Sequence, residues 1–412
     1  MKTDRTLWTR DFSLITFGTV ISIIGGQVIQ LPLSLTVFEK TGSVLRSSMM
    51  FVIGMIPGTV LPILVAPLID RNRKKPVIVA LDYLLAVMYF VLGATLSHIG
   101  FHYMFYVLIS FLFGVISAIY SNAYQAWFPD LIPKGFEHKG YAISGTLYPS
   151  ITIFMAPISA FLYKSMEMHD LFYLVGAMLL LAATSELFIR ERFEPVRCAV
   201  RGFAAYREEM MSGFHYIRAE KGIRNIYAYM GITQGLSDAK TVQVQAFFQS
   251  SPWLGATLYG FLISAETIGR MLAGVMQYVW TITPKKRYRV TQFVYYTYDF
   301  CDLLLLFIPY PLMLFNRFVV GGLGMTSATV RQASVQSYLD PQMRAKVSAV
   351  FGAYATLMAI LIQFIGGIVG DRFGYRATVV MFTFVGILAI YLLISRPAAE
   401  NRKVYEAERK AR

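Results

Sequence analysis

A chain of 412 residues with 56% hydrophobic and only 15% charged side chains is too apolar for a soluble domain, in which roughly a quarter of residues are charged. Its formal charge of +14 falls in short clusters between long apolar blocks. There is no basic stripe with interleaved aromatics, which excludes nucleic acid as a partner. Cys198 and Cys301 lie too far apart for a Cys-x-x-Cys metal pair, and two cysteines make no disulfide framework.

Apolar blocks of about 18 or more residues are long enough to cross a bilayer. Along the chain they fall at about 12–38, 46–69, 76–97, 102–128, 140–164 and 168–189, then at about 223–249, 254–282, 290–308, 311–338, 347–369 and 376–395. The first block, from Phe12 to about Val37, outlasts the roughly 7–15-residue core of a cleavable signal and reads as a retained span. Between the two sets lies the longest polar stretch, Arg190 to Arg224, with an amphipathic helical pattern from Phe203 to Ile217 suited to a membrane surface.

With twelve spans and both termini in the cytoplasm, 29 of the 38 Lys and Arg fall in cytoplasmic segments, as the positive-inside rule requires. Lys40, Lys164, Arg372 and Arg376 fall outside, and Arg46, Lys240, Arg270, Arg317 and Arg331 fall within spans. Basic clusters follow the second span (Arg71, Arg73, Lys74, Lys75) and the eighth (Lys285, Lys286, Arg287, Arg289), so the halves rhyme. The expected organisation is a six-helix half at 1–190, a cytoplasmic linker with an amphipathic helix at 191–222, a second six-helix half at 223–396 and a basic cytoplasmic tail at 397–412. Two parallel repeats of this kind place a substrate site near the bilayer midplane.

Several motifs carry a resemblance. Ala66-Pro67-Leu68-Ile69-Asp70-Arg71-Asn72-Arg73-Lys74-Lys75 is similar to the G-x-L-x-D-R-x-G-R-K signature of the major facilitator superfamily, with Ala66 and Arg73 in place of its glycines. Glu39-Lys40-Thr41-Gly42-Ser43, Trp127 to Lys134, Gly213 to Arg218, Pro341 to Val347 and Gly366 to Gly374 match its macrolide and drug-efflux and siderophore-exporter branch. The resemblance spans the whole chain. It implies an all-α membrane fold of twelve helices in two halves, embedded in the cell membrane, with no enzyme activity and no cofactor. It also implies a cavity lined by the first, fourth, seventh and tenth spans, and a cytoplasmic gate of Asp70, Arg71, Arg73 and Arg344. Ala156-Pro157-Ile158-Ser159-Ala160 departs from the G-P-x-x-G-G motif of related drug–proton antiporters, so the direction of transport is not implied.

No G-x-x-x-x-G-K-[ST], H-E-x-x-H or G-x-S-x-G occurs, which argues against nucleotide hydrolysis and hydrolase chemistry in this chain. Charges inside a bilayer are costly and are functional candidates by default. The seventh span carries Gln234, Asp238, Lys240, Gln243, Gln245 and Gln249, a polarity expected to line a water-filled cavity. Asp238 is the first candidate for a proton-coupling carboxylate. The plainer reading pairs it with Lys240, although residues two apart lie on nearly opposite helix faces. Asp299 and Asp302 share a face of the ninth span and could hold a proton between them, or partner Arg270 or Arg317. Glu266 and Arg270 can neutralise each other across one helical turn. Gln27, Gln30, Asn122, Gln125, Gln234, Lys240 and Arg331 are candidates to line the substrate cavity, or else hydrogen bonds between helices.

The expected function is secondary active transport by alternating access, as proton-coupled efflux of amphipathic small molecules such as antibiotics by a monomer. Export of a siderophore or lipid, nutrient import, and a non-transporting membrane sensor or scaffold are the alternatives.

Overall fold

A computed structural model describes residues 6–71, 73–133, 136–190, 203–279, 282–340 and 342–407. Within its helices, the side chains at 60, 62–71, 137–138, 142, 203–207, 209, 278 and 345 lie outside the description. Among the described residues there are fourteen α-helices and no strand.

Twelve helices fall on the twelve expected spans. They are α1 (Arg10–Thr41), α2 (Val44–Arg71), α3 (Lys74–Ile99), α4 (Tyr103–Leu131), α5 (Glu137–Ser165), α6 (Met168–Leu187), α8 (Lys221–Ser250), α9 (Ala256–Val279), α10 (Pro284–Leu304), α11 (Tyr310–Tyr338), α12 (Arg344–Phe373) and α13 (Tyr375–Ala389). A π-helical turn, Ile390–Ser395, prolongs α13. The remaining two are α7 (Phe203–Ala219), on the amphipathic pattern of the linker, and α14 (Ala398–Tyr405). Seven helices are long and apolar enough to cross a membrane by length and composition: α1, α3, α4, α5, α6, α12 and α13 with its extension.

Local chemistry sets the ends of these helices. Thr9 caps α1 through a hydrogen bond to its Oγ1 from the Phe12 N–H (3.3 Å). At the other end Gly42 takes φ +64°, the left-handed conformation that glycine adopts without a Cβ penalty, and donates its N–H to the Phe38 carbonyl at 2.7 Å. Pro284 and Pro309 sit where α10 and α11 start, positions whose N–H needs no helical partner.

The chain divides into two compact units. The first comprises Met1–Gly42, Ile53–Val200 and Ala256–Gly260; the second comprises Ser43–Val52, Arg201–Gly255 and Phe261–Arg412. In the first, α3 packs on α6 and α4, and α1 packs on α6 and α5. In the second, α10 packs on α13 and α11, and α8 packs on α13 and α12. The four pairings correspond helix for helix, as two copies of one six-helix design require.

The segment 397–405, read from its charge as part of a basic tail, is instead built into the second unit. Asn401, Val404 and Tyr405 of α14 are fully buried. The Asn401 amide donates to the carbonyls of Leu393 (2.8 Å) and Ile394 (3.0 Å), which the π turn leaves available. The Tyr405 hydroxyl meets that of Tyr295 at 3.0 Å, and Ser334 donates to the Tyr405 carbonyl at 3.0 Å. The Lys and Arg on its outer face masked this buried stripe in the sequence. Tyr405→Phe keeps the packing and removes one buried hydrogen bond, so a loss of about 0.5–1.5 kcal/mol is expected, measured by thermal unfolding in detergent.

Candidate functional site

The sequence scattered its charged candidates over four helices, and the second unit gathers six of them into one network. Lys240 of α8 places its Nζ 3.4 Å from Asp299 Oδ1 and 2.5 Å from Asp302 Oδ2, both on α10. Arg317 of α11 takes the other Asp302 oxygen and lies 3.8 Å from Glu266 of α9. Glu266 is in turn held by Arg270, one helical turn along α9, at 2.7 Å. Asn316 supports Arg317 by accepting from its Nε at 3.3 Å and its Nη2 at 3.2 Å, while donating to the Cys301 carbonyl at 2.8 Å. Three acids meet three bases, and the cluster is neutral in its ionised form. The Lys240, Asp299 and Asp302 side chains are only 6–7% exposed, so their charges are compensated by one another and not by water.

This arrangement changes several expectations. Lys240 does not pair with Asp238. Helix α8 runs unbroken through Gly235, and the two side chains leave on different faces. Asp299 and Asp302 do share a face, but a lysine ammonium lies between them and α8. Arg317, and not Arg270, is the arginine partner of Asp302. Gly386 of α13 leaves room for Asp299, since a Cβ there would lie 2.6 Å from its Oδ2.

The polar face expected on α8 splits in two. Gln243 and Gln245 are buried in the unit, and Gln243 donates to the Gly366 carbonyl of α12 at 2.7 Å. Gln243 thus ties α8 to α12. Gln234 is exposed and donates to Asp238 Oδ1 at 3.0 Å. Among the described residues, no Lys or Arg forms an ion pair with Asp238.

Of the remaining candidates in the first unit, Gln27 donates to Thr152 at 2.9 Å, Asn122 to the Ala118 carbonyl at 2.8 Å and Gln125 to Ser121 at 3.0 Å. Gln30 is exposed. Arg331, in the second unit, donates to Ser327 at 3.2 Å. Arg344 donates to the Leu339 carbonyl at 3.3 Å and Arg73 is exposed; the side chains of Asp70 and Arg71 lie outside the described ones.

Two carboxyls went unnoticed in the sequence. Asp82 and Glu186 each stand in an apolar block, on α3 and α6 of the first unit. Their signal was present for Asp82 as an acid with no base three or four residues away, while Glu186 has Arg190 one turn on.

The sequence profile described as Major Facilitator Superfamily matches residues 15–295 and 300–412. The chain belongs to the Major Facilitator Superfamily. Membership in this superfamily places it among multi-pass membrane transporters and not among enzymes. Solved superfamily structures agree in fold. The nucleoside transporter NupG superposes with a TM-score of 0.70 at 10% identity, over 93% of this chain and 98% of its own. A bacterial homolog of the human lysosomal transporter Spinster, inward-facing and unoccupied, gives 0.68 at 11% identity, over 99% and 100%. Among curated proteins the chain is similar to Macrolide efflux protein A of Streptococcus pyogenes, 24% identical over 219 residues. The match covers 52% of this chain, and the chain spans about half the length of that relative (53%).

Proposed function

We propose that the chain is a secondary active transporter that works by alternating access and exports amphipathic small molecules, antibiotics among them, in exchange for protons. Asp238 carries this reading. Of the four acids that the sequence singled out in the second unit, Asp299, Asp302 and Glu266 are each neutralised by a base, and among the described residues Asp238 is not. A half-buried carboxylate held by an amide is free to change its protonation state without breaking an ion pair. The superfamily fold and the resemblance to Macrolide efflux protein A support transport and an amphipathic drug as cargo.

The test is accumulation of fluorescent amphipathic drugs and macrolides in susceptible bacteria expressing the protein, with and without a protonophore. Lower accumulation that the protonophore abolishes is expected. Unchanged accumulation across the panel, with folded protein in the membrane, would remove drugs as substrates and direct the search to lipids and siderophores. Asp238→Asn is expected to bind drug and to export no better than protonophore-treated wild type. Wild-type export by this variant would take the coupling role from Asp238.

A further inference from the structure

The carboxyl groups of Asp82 and Glu186 lie within hydrogen-bonding reach of each other, where α3 packs on α6. Asp82 is 1% exposed and Glu186 0%. Neither Glu186 oxygen, nor Asp82 Oδ2, receives a hydrogen bond from any other described residue. Gly18 of α1 closes the third side: a Cβ there would lie 2.9 Å from Glu186 Oε1, so a larger residue would push the carboxyl aside.

Among the described residues, no Lys or Arg forms an ion pair with either carboxyl, and Arg190, one turn beyond Glu186, is exposed, with its N–H on Asp11 Oδ1 at 3.1 Å. Lys74 pairs with Asp130 at 3.6 Å, and Lys75 donates to the Leu187 and Ile189 carbonyls, both at 2.7 Å. From α4, Tyr120 and Tyr124 face the pair, and the Tyr124 oxygen already accepts from Thr19 of α1 at 3.1 Å. Ser185 donates within α6, to Ala182 at 2.7 Å, and Tyr83 of α3 meets Thr184 at 3.2 Å. An apolar cluster of Ile15, Ile78, Ala123, Trp127, Leu131 and Ile189 packs alongside, with Tyr120 and Tyr124 against it.

The second unit offers a comparison on the corresponding helix. Asp82 lies eight residues beyond the start of α3 at Lys74, and Gln292 lies eight beyond the start of α10 at Pro284. Gln292 donates to Ser395, at the end of the π turn that prolongs α13, at 2.8 Å. A neutral donor and acceptor therefore join the corresponding helices. In the first unit a carboxyl stands at that count on α3 and meets a second carboxyl on α6, and two carboxyls hydrogen-bond only when one of them carries the proton. Two bare carboxylates, buried side by side without a cation, would repel and leave orphaned acceptors as well.

We propose that Asp82 and Glu186 hold one proton between them and form a proton-binding site of the first unit, separate from Asp238. That the pair holds a proton stands without the transport reading. That this proton is exchanged in each transport cycle rests on the proton-coupled function proposed above.

Infrared spectroscopy of the full chain in liposomes at neutral pH tests the first statement. Wild type should show the C=O stretch of a protonated carboxylic acid, shifted in D2O, and Asp82→Asn with Glu186→Gln should lose that component. An unchanged band in the double variant overturns the proposal. Asn and Gln reproduce the neutral bridge, so the variant should fold; if it does not, Glu186→Gln alone should lose the component, and an unchanged band there overturns the proposal. A band indifferent to replacing sodium by choline supports the proton. No band, with melting raised by sodium, assigns a metal cation and overturns it.

Drug flux in the same liposomes tests the second statement. The double variant should retain drug counterflow and lose acceleration by a pH gradient. Gradient-driven flux equal to wild type, with the band gone, would make the proton a fixed structural one. Wild type without gradient-driven flux would sink the transport reading and leave the infrared result standing.

Discussion

Lys240→Met is expected to cost about 3–5 kcal/mol of stability, the usual range for removing one partner of a buried ion pair. The physical reason is what remains behind. Asp302 keeps Arg317, but Asp299 loses its base and stays in a site that Gly386 of α13 closes from the other side. An uncompensated carboxylate there has neither water nor a cation. Thermal unfolding in detergent reads the loss. Adding Asp299→Asn to Lys240→Met should recover most of it, because the amide removes the stranded charge at equal size. If Lys240→Met melts with wild type, the network contributes nothing to folding and its burial is misleading. If the double variant melts no higher than the single, the penalty lies in lost packing of the lysine stem and not in charge.

The second large effect is expected at a helix crossing. Gly269 of α9 and Gly321 of α11 meet back to back. A Cβ at Gly269 would fall on the Phe318 carbonyl oxygen, and one at Gly321 on the Glu266 carbonyl oxygen. Both obstacles are backbone, so no rotamer change relieves them. Small residues permit such approach in membrane helices. The same turns of α9 and α11 carry Glu266, Arg270 and Arg317, so the crossing also sets the spacing of the ion pairs. Gly269→Val should exceed the 1–3 kcal/mol or so typical of overpacking, with little folded protein recovered after detergent extraction. Gly322→Ala is the matched control. Its Cβ would lie 3.7 Å from that of Ala273, an ordinary contact, and near-wild-type yield and melting are expected. Equal loss in both variants would mean that the close approach at Gly269 does not set the cost, because alanine favours a helix more than glycine does.

Length and polarity made the spans legible. Each of the twelve apolar blocks became a helix, because a chain in hydrocarbon has to satisfy its backbone internally. The contact Glu266–Arg270 was legible for a similar reason, since helical spacing alone brings them together. The rest of the candidate site was not. Lys240 and Asp299 are 59 positions apart, and which of three bases would meet which of three acids depends on helix packing, which no local period encodes. Reading the polarity of α8 as one water-lined face failed at Gln243 and Gln245, because an amide buried between helices and one facing water look alike in sequence. Asp82 and Glu186 escaped notice because counting Lys and Arg gives topology and says nothing of lone acids. Helix α14 escaped because Glu400, Arg402 and Lys403 interleave with Asn401, Val404 and Tyr405, which dock it.

The balance of the six-charge network has an electrical consequence. Carrying one elementary charge through a membrane potential of about 100 mV is worth roughly 2.3 kcal/mol. Lys240, Arg270 and Arg317 against Asp299, Asp302 and Glu266 sum to zero, so moving this cluster as a body through the field does almost no electrical work. In the proton-coupled cycle proposed above, voltage then acts on turnover through charges taken up and released at Asp238, at the Asp82–Glu186 pair and on the cargo itself. The current carried per drug molecule, recorded at zero pH gradient, would count those charges directly.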